Sequence, residues 1–276
     1  MKIVAILAVR NEELYVRRCL RWLVGQGVQV VVIDNESIDG TRRVCAEFSR
    51  DGVIAITSYP YRGYYPWKGL LEEKTRLRKQ LDADWVIHQD ADEILSSSRP
   101  GESLHEAIRR ADGAGYNAVN FNEFVFIPES VEKSYERSDY LLAMKHYYFF
   151  EPWAPRLIRA FKNNLDVDNV ASAGHTLPLE AINLSPENLT LRHYIFLSVA
   201  HGRQKYLSRI YSMEELALGW HKSRVRIHNF SLVPPPHRLE RAKDFLRADL
   251  EMKNPRSTHF WEWGQEKLCD ALRSSA

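Results

Sequence analysis

The sequence predicts an α/β fold, a mostly parallel twisted sheet flanked by helices with a helical C-terminal extension, and two observations carry that expectation. Short apolar runs alternate with helical patterns through the first half of the chain, the mark of successive strand–helix–strand units. Three polar clusters, Arg10-Asn11-Glu12, Asp34 to Gly40 and Asp90-Ala91-Asp92, each follow such an apolar run. They therefore fall at the carboxyl ends of strands, where open α/β sheets bind their ligands.

Lys2 to Ala8 reads as the first strand. Asn11 is placed to cap the next helix, with Glu12 and Glu13 in its first turn where the backbone dipole favours negative charge. Val16, Cys19, Leu20 and Leu23 then recur at i, i+3, i+4 and i+7 as one apolar stripe, and Gly27 ends the helix. Val28 to Ile33 is unbroken apolar sequence, as expected for a strand buried on both faces. A short helix over Thr41 to Ser49 and a strand over Val53 to Thr57 follow, then a loop from Tyr59 to Trp67 rich in tyrosine, proline and tryptophan. A helix from Lys68 to Leu81 leads to strand Trp85 to His88, and Ser103 starts a helix that runs to Ala111. Asn117 to Ile127 alternates as a strand, and further strands are expected at Met144 to Phe150, Arg156 to Phe161 and Leu189 to Phe196. In the tail, Ser212 and Glu215 have capping-box spacing, and His237 to Met252 reads as an amphipathic helix after three prolines.

At 276 residues, 45% apolar and 27% charged, the chain can bury a large core without cross-links. Its 38 basic and 36 acidic residues leave a net charge of +2, too balanced for nucleic acid to be the main partner. Cys19, Cys45 and Cys269 are scattered and odd in number, which suggests neither a disulfide framework nor a zinc site and points to a reducing cytoplasm. Ile3 to Val9 is too short for a signal-peptide core or a membrane span. Between Ala200 and Arg256 there are 12 basic and 6 acidic residues, with Trp220, Phe230 and Phe245 among them. Peripheral contact with an anionic membrane face and a simple solvated surface both account for that excess.

The chemistry concentrates in few residues. Asp90 and Asp92, spaced by one residue at a strand end, suit a hard cation and the diphosphate it neutralises, whereas a chance helix start has the same spacing. Asp34-Asn35 and Asp39-Gly40 fit ligand binding or plain turn chemistry. In the strand Asn117 to Ile127, Glu123 shares a face with Val119, Phe121, Val125 and Ile127. A carboxylate there must be paired, protonated or at a pocket's lip, so it is either a general base or half of a structural ion pair with an arginine. His175 and His193 stand near turns or strand ends, as metal ligands or as hydrogen-bonded structural histidines.

Ile6-Leu7-Ala8-Val9-Arg10-Asn11-Glu12, Val32 to Thr41 and Trp85 to Glu93 together resemble the bacterial family 2 glycosyltransferases of the GT-A fold, of the small cytosolic type. Leu191 to Ser198 is similar to a more local signature of that subgroup. The resemblance implies a Rossmann-like nucleotide-sugar-binding core over residues 1–130, an acceptor-side part over 131–200 and a helical extension over 201–276. It implies a UDP- or GDP-type sugar donor and a glycan or lipid-linked acceptor, with Mn2+ or Mg2+ as cofactor and inverting transfer in surface polysaccharide or glycoconjugate synthesis. Donor binding is expected from Ala8, Arg10, Asn11, Glu12, Asp34, Ser37 and Asp90, and metal binding from Asp90 and Asp92 with His193 or His175. Better-known members carry the base in an acidic pair downstream of the DxD motif. No clear Glu-Asp pair is found here, which leaves Glu123 as base candidate with Asp139 behind it.

Two other classes share some of these features. A sugar nucleotidyltransferase places carboxylates at strand ends but needs a glycine-rich basic loop after its first strand, and Ala8 to Glu12 has no glycine. A non-catalytic nucleotide- or carbohydrate-binding module needs no Asp90/Asp92 pair.

Overall fold

The computed structural model describes residues 1–227, 232, 236–243 and 250–263. In chain order the elements are β1 (Ile3–Val9), α1 (Glu13–Gly25), β2 (Gln29–Asp34), α2 (Thr41–Glu47), β3 (Val53–Ser58), α3 (Trp67–Arg78), β4 (Trp85–Asp90), β5 (Glu93–Ser96) and α4 (Leu104–Gly113). β6 (Ala118–Phe126), α5 (Tyr140–Ala143), β7 (His146–Phe150), β8 (Ile158–Lys162), β9 (Leu189–Tyr194), α6 (Val199–Gly202), α7 (Met213–Ala217) and β10 (Glu240–Arg241) complete them. The chain divides into two compact units: Met1–Glu123 with Pro155–His193, and Phe124–Ala154 with Tyr194–Ala276.

The first unit has the expected α/β class, with a mixed sheet flanked by helices. β4, β1, β2 and β3 are parallel neighbours, and beyond β4 the direction reverses, with β8 antiparallel to both β4 and β6. β1, β2 and β4 are almost wholly buried, as the unbroken apolar run of β2 required, and β4 buries His88 and Gln89 as well. α1 puts Val16, Cys19, Leu20 and Leu23 inside, the stripe expected from its sequence. Registry places Val9 beside Asp34 and Ala8 beside Asp90. Since adjacent strands lie about 4.8 Å apart, the three polar strand ends form one rim.

Local capping follows expectation in one place and departs in another. Ser103 caps α4 with Glu106 bonding back, a complete capping box. Asn11, by contrast, does not cap α1: it sits at φ 54°, and Glu12 holds the cap position without a side-chain bond. The loop 37–41 supplies the missing partners. The amides of Asn11, Glu12 and Glu13 donate to Ser37 Oγ (3.0 Å), Thr41 Oγ1 (2.7 Å) and Asp39 Oδ2 (3.2 Å). Asn11 Oδ1 in turn accepts from the Ile38 amide at 2.9 Å, so a tertiary cross-link replaces the local cap.

The second unit centres on an aromatic cluster that includes Tyr148, Phe150, Phe196, Tyr206, Trp261 and Trp263. Its rings stack closely: His259 lies 4.0 Å from Phe150 and 4.4 Å from Trp261, centroid to centroid. Two features of the tail differ from expectation. Ser212 stands at the N-cap of α7 without a side-chain cap bond, and the Glu215 side chain, the other half of the expected box, bonds His221 Nε2 at 2.8 Å. Glu240–Arg241 is a strand paired antiparallel with Tyr147 and His146 in place of the expected helix. The rest of that helix over 244–249 lies outside the described residues, as do Phe230, Phe245, Cys269 and two of the three prolines. Among the described residues no helix is long and apolar enough to cross a membrane.

Candidate active site

The candidate site residues lie in the first unit, except Asp139. The Asp34 carboxylate at the end of β2 is buried; Oδ1 accepts from the Ser37 amide at 3.1 Å and Oδ2 pairs with Arg42 at 3.2 Å. The turn chemistry read from the sequence is therefore present. Arg10 reaches across from β1 to the carbonyls of Asn35 and Glu36, at 2.6 Å each, and its guanidinium lies 3.3 Å from the Tyr61 ring centroid. The Tyr61 amide donates to Glu36 Oε2 at 3.0 Å. Glu36 sits at φ 52°, a conformation unusual for a residue with a long side chain. Ala8, Arg10, Asn11, Glu12, Asp34 and Ser37 are thereby brought to one rim, with Asp90 next to Ala8 in register.

Asp90 ends β4 between two cations: Lys74 Nζ of α3 at 3.5 Å from Oδ1 and Arg159 of β8 at 3.3 Å from Oδ2. Lys74 is fully buried and also donates to the Gln89 carbonyl at 3.0 Å. Burial pulls its ammonium pKa down, while Asp90 pulls it back up. Arg159 continues to Glu93 at 2.5 Å. Burial drives the Glu93 carboxyl up to about 7, against the opposing field of Arg159.

Asp92 and Glu123 face the same imidazole. His193 Nε2 is 3.3 Å from Asp92 Oδ2, and Nδ1 is 2.7 Å from Glu123 Oε1. The pairing of β5 with β9 sets this up by placing Glu93 opposite His193. The second oxygen of Glu123, Oε2, accepts from Arg156. Glu123 is thus paired, the ion-pair alternative read from its sequence position. Burial disfavours a charged His193, but Asp92 and Glu123 outweigh it and push the pKa up to about 10. The space between these carboxylates favours positive charge.

His175 follows a loop whose Gly174 carbonyl accepts from Arg159 and from Asn169 Nδ2, and its own carbonyl accepts the Ile158 amide at 2.9 Å. Asp139 belongs to the second unit, where it precedes α5 as an exposed N-cap residue.

A model of glycosyl transferase family 2 matches residues 4–154. The chain belongs to glycosyl transferase family 2. Curated relatives include uncharacterized glycosyltransferases of Rickettsia typhi, 28% identical over 101 residues, and Rickettsia conorii, 30% identical over 101 residues. These matches cover 37% of this chain and 31% and 32% of the relatives, so the chain aligns with about a third of their length. Among solved structures, S. aureus TarS 1-349 covers 86% of this chain and 71% of its own at 14% identity, with a TM-score of 0.45. The mannosyltransferase PcManGT of Pyrobaculum calidifontis, solved with GDP-Man and Mn2+, covers 84% and 72% at 14% identity and a TM-score of 0.40.

For a divalent cation of the kind expected in family 2, the donor chemistry fits at one point. A ligating histidine commonly gives its other ring nitrogen to a carboxylate, and His193 stands in that arrangement between Glu123 and Asp92. Asp90 is differently placed, because Lys74 and Arg159 already neutralise it. Among the described residues no group of three or more His, Cys, Asp or Glu side chains is arranged as a metal site. Two protein ligands plus diphosphate oxygens is nonetheless ordinary for a hard cation held with its substrate. Lys74, Glu93, Arg156 and Arg159 were not singled out from the sequence.

Proposed function

We propose that the chain transfers a sugar from a nucleotide-diphosphate donor to an acceptor hydroxyl, with a divalent cation and inversion at the sugar carbon, in glycan or glycoconjugate synthesis. The observation that carries this reading is the convergence of Asp34 and Asp90 at the ends of the two parallel strands that flank β1, with Asp92 in the turn after Asp90 and His193 held against it. Membership of family 2 supports it.

In this reading the rim from Ala8 to Glu12 and Asp34 to Ser37 receives the nucleoside. The Arg10 guanidinium, fixed by two carbonyls and the Tyr61 ring, orders the loop that borders it. Asp90 is held in place by Lys74 and Arg159 to meet the ribose side of the donor. Asp92 and His193 Nε2 would hold Mn2+ or Mg2+, which when bound supplies charge stabilisation for the departing diphosphate. Glu123 acts through His193: its carboxylate fixes the ring's orientation and keeps Nδ1 protonated, leaving Nε2 directed at Asp92. With both oxygens engaged, Glu123 is assigned to positioning and not to proton abstraction, and the acceptor hydroxyl's proton is released to solvent as the nucleoside diphosphate departs.

The test is the thermal stability of the full chain against UDP-, GDP-, CMP- and dTDP-sugars, each with manganese and with chelator. A rise in Tm for one nucleotide that disappears with chelator is expected. A rise that survives chelator would remove the cation from the donor site, and no rise with any donor would overturn the donor assignment.

A further inference from the structure

Residues 203–226 of the second unit fold back on themselves and leave an unusual outer surface. The inward side chains are tied down: Tyr206 Oη donates to the Ile195 carbonyl at 3.1 Å, Tyr211 stacks on His221 at 4.7 Å between centroids, and Glu215 bonds His221. Arg224 closes the fold over the Tyr206 ring at 4.7 Å. The exposed side chains of this segment mix aliphatic groups with polar and charged ones. Leu207, Ile210, Met213, Leu218 and Val225 are between 39% and 79% exposed, and they make up five of the thirteen large hydrophobic side chains exposed among the described residues. The same segment carries six Lys and Arg against two acids, Glu214 and Glu215, of which Glu215 is buried. Arg203, Lys222 and Arg226 are exposed, with Arg226 3.6 Å from Glu262.

We infer that this surface docks on an anionic phospholipid bilayer, the aliphatic side chains entering between headgroups and the cations meeting lipid phosphates. Charge complementarity and side-chain type decide the partner. Protein interfaces favour aromatic anchors and exclude lysine from their centres, whereas here the rings of Tyr206 and Tyr211 are engaged within the unit and exposed aliphatic groups are interspersed with cations along the segment. That mixture matches interfacial membrane binding. The inference does not depend on the transfer reaction.

The test is co-sedimentation of the full chain with vesicles of phosphatidylcholine alone and of phosphatidylcholine with phosphatidylglycerol. Binding to the anionic vesicles at least about tenfold stronger, and weakened by salt, is expected. The double variant Ile210→Asp with Leu218→Asp changes only exposed positions, keeps the wild-type Tm and loses about tenfold or more of that binding. Equal or absent binding to the two vesicle types, or unchanged binding of the variant, would overturn the inference. Self-association of the chain in sedimentation velocity that the variant abolishes would also overturn it, because the surface would then belong to a second copy.

Discussion

Glu123→Gln keeps the shape of the side chain and removes the charge shared by Arg156 and His193. The Arg156 side chain is only 12% exposed, so it is left as a nearly buried charge without that carboxylate. Breaking one half of such a pair costs about 3–5 kcal/mol, on the order of 10 °C in Tm for a domain of this size. Adding Arg156→Met removes the second charge, and most of the loss is recovered because an apolar replacement of a buried pair is often neutral. The functional effect does not recover with it. If Glu123 orients His193, both variants need about 10–100-fold more metal for half-maximal transfer while kcat at saturating metal stays near wild type. A general base predicts the opposite split, with kcat down about a hundredfold or more and metal dependence unchanged. The assay is initial transfer rate against manganese concentration for wild type, single and double variants. Loss of kcat at saturating metal, with an unshifted metal midpoint, would refute the positioning role.

Asp92→Ala abolishes the metal-dependent Tm shift given by donor and lowers the Tm without donor, because it removes the carboxylate that most favours a charged His193; an undiminished donor shift would remove Asp92 from the metal site. Lys74→Met leaves the Gln89 carbonyl without its buried donor and Asp90 with Arg159 as its remaining cation of the two. Denaturant unfolding should show a loss of about 1–3 kcal/mol, with weaker donor binding in the same Tm assay. Glu187 pairs with Arg99 and Arg110 and bonds Ser98, which together lower its pKa from 4.5 to about 2. A lowered folded-state pKa contributes stability that is present above 4.5 and is lost as pH falls from there toward 2. Glu187→Gln should therefore lower stability at neutral pH and flatten the acid limb over that window, as read from Tm against pH.

What was legible in the sequence is what short-range pattern controls. Apolar runs announced β1, β2 and β4, and the acids directly after them had to fall on the same rim once those strands paired in parallel. Glu123 was visible as a carboxylate in an apolar face of period two. Lys74 sends the same signal at helical spacing, between Leu70, Leu71 and Leu77 of α3, and the period-3.6 version of that argument would have found it. Arg156, Arg159 and the bridging of His193 were out of reach. They stand 33, 69 and 70 to 101 residues from their acidic partners, joined through strand register that no local pattern specifies. Asn11 failed as a cap for a related reason, since side chains from 37–41 met the amides that a local cap would have served.

The partners missed in the sequence also divide the roles of the two aspartates. Asp90 faces Lys74 and Arg159; the guanidinium keeps its charge, and Asp90 opposes the pull of burial on the Lys74 ammonium. Asp92 faces an imidazole, whose positive charge leaves with a single proton. Under the proposed function, Asp92 and His193 Nε2 without that proton would hold the cation, and Glu123 would compensate the charge on the far side of the ring. At Asp90 the same cation would have to stand against two positive groups already bound. Equal spacing of Asp90 and Asp92 thus hides an electrostatic asymmetry, and under the proposed function a metal would be held at Asp92 and not at Asp90.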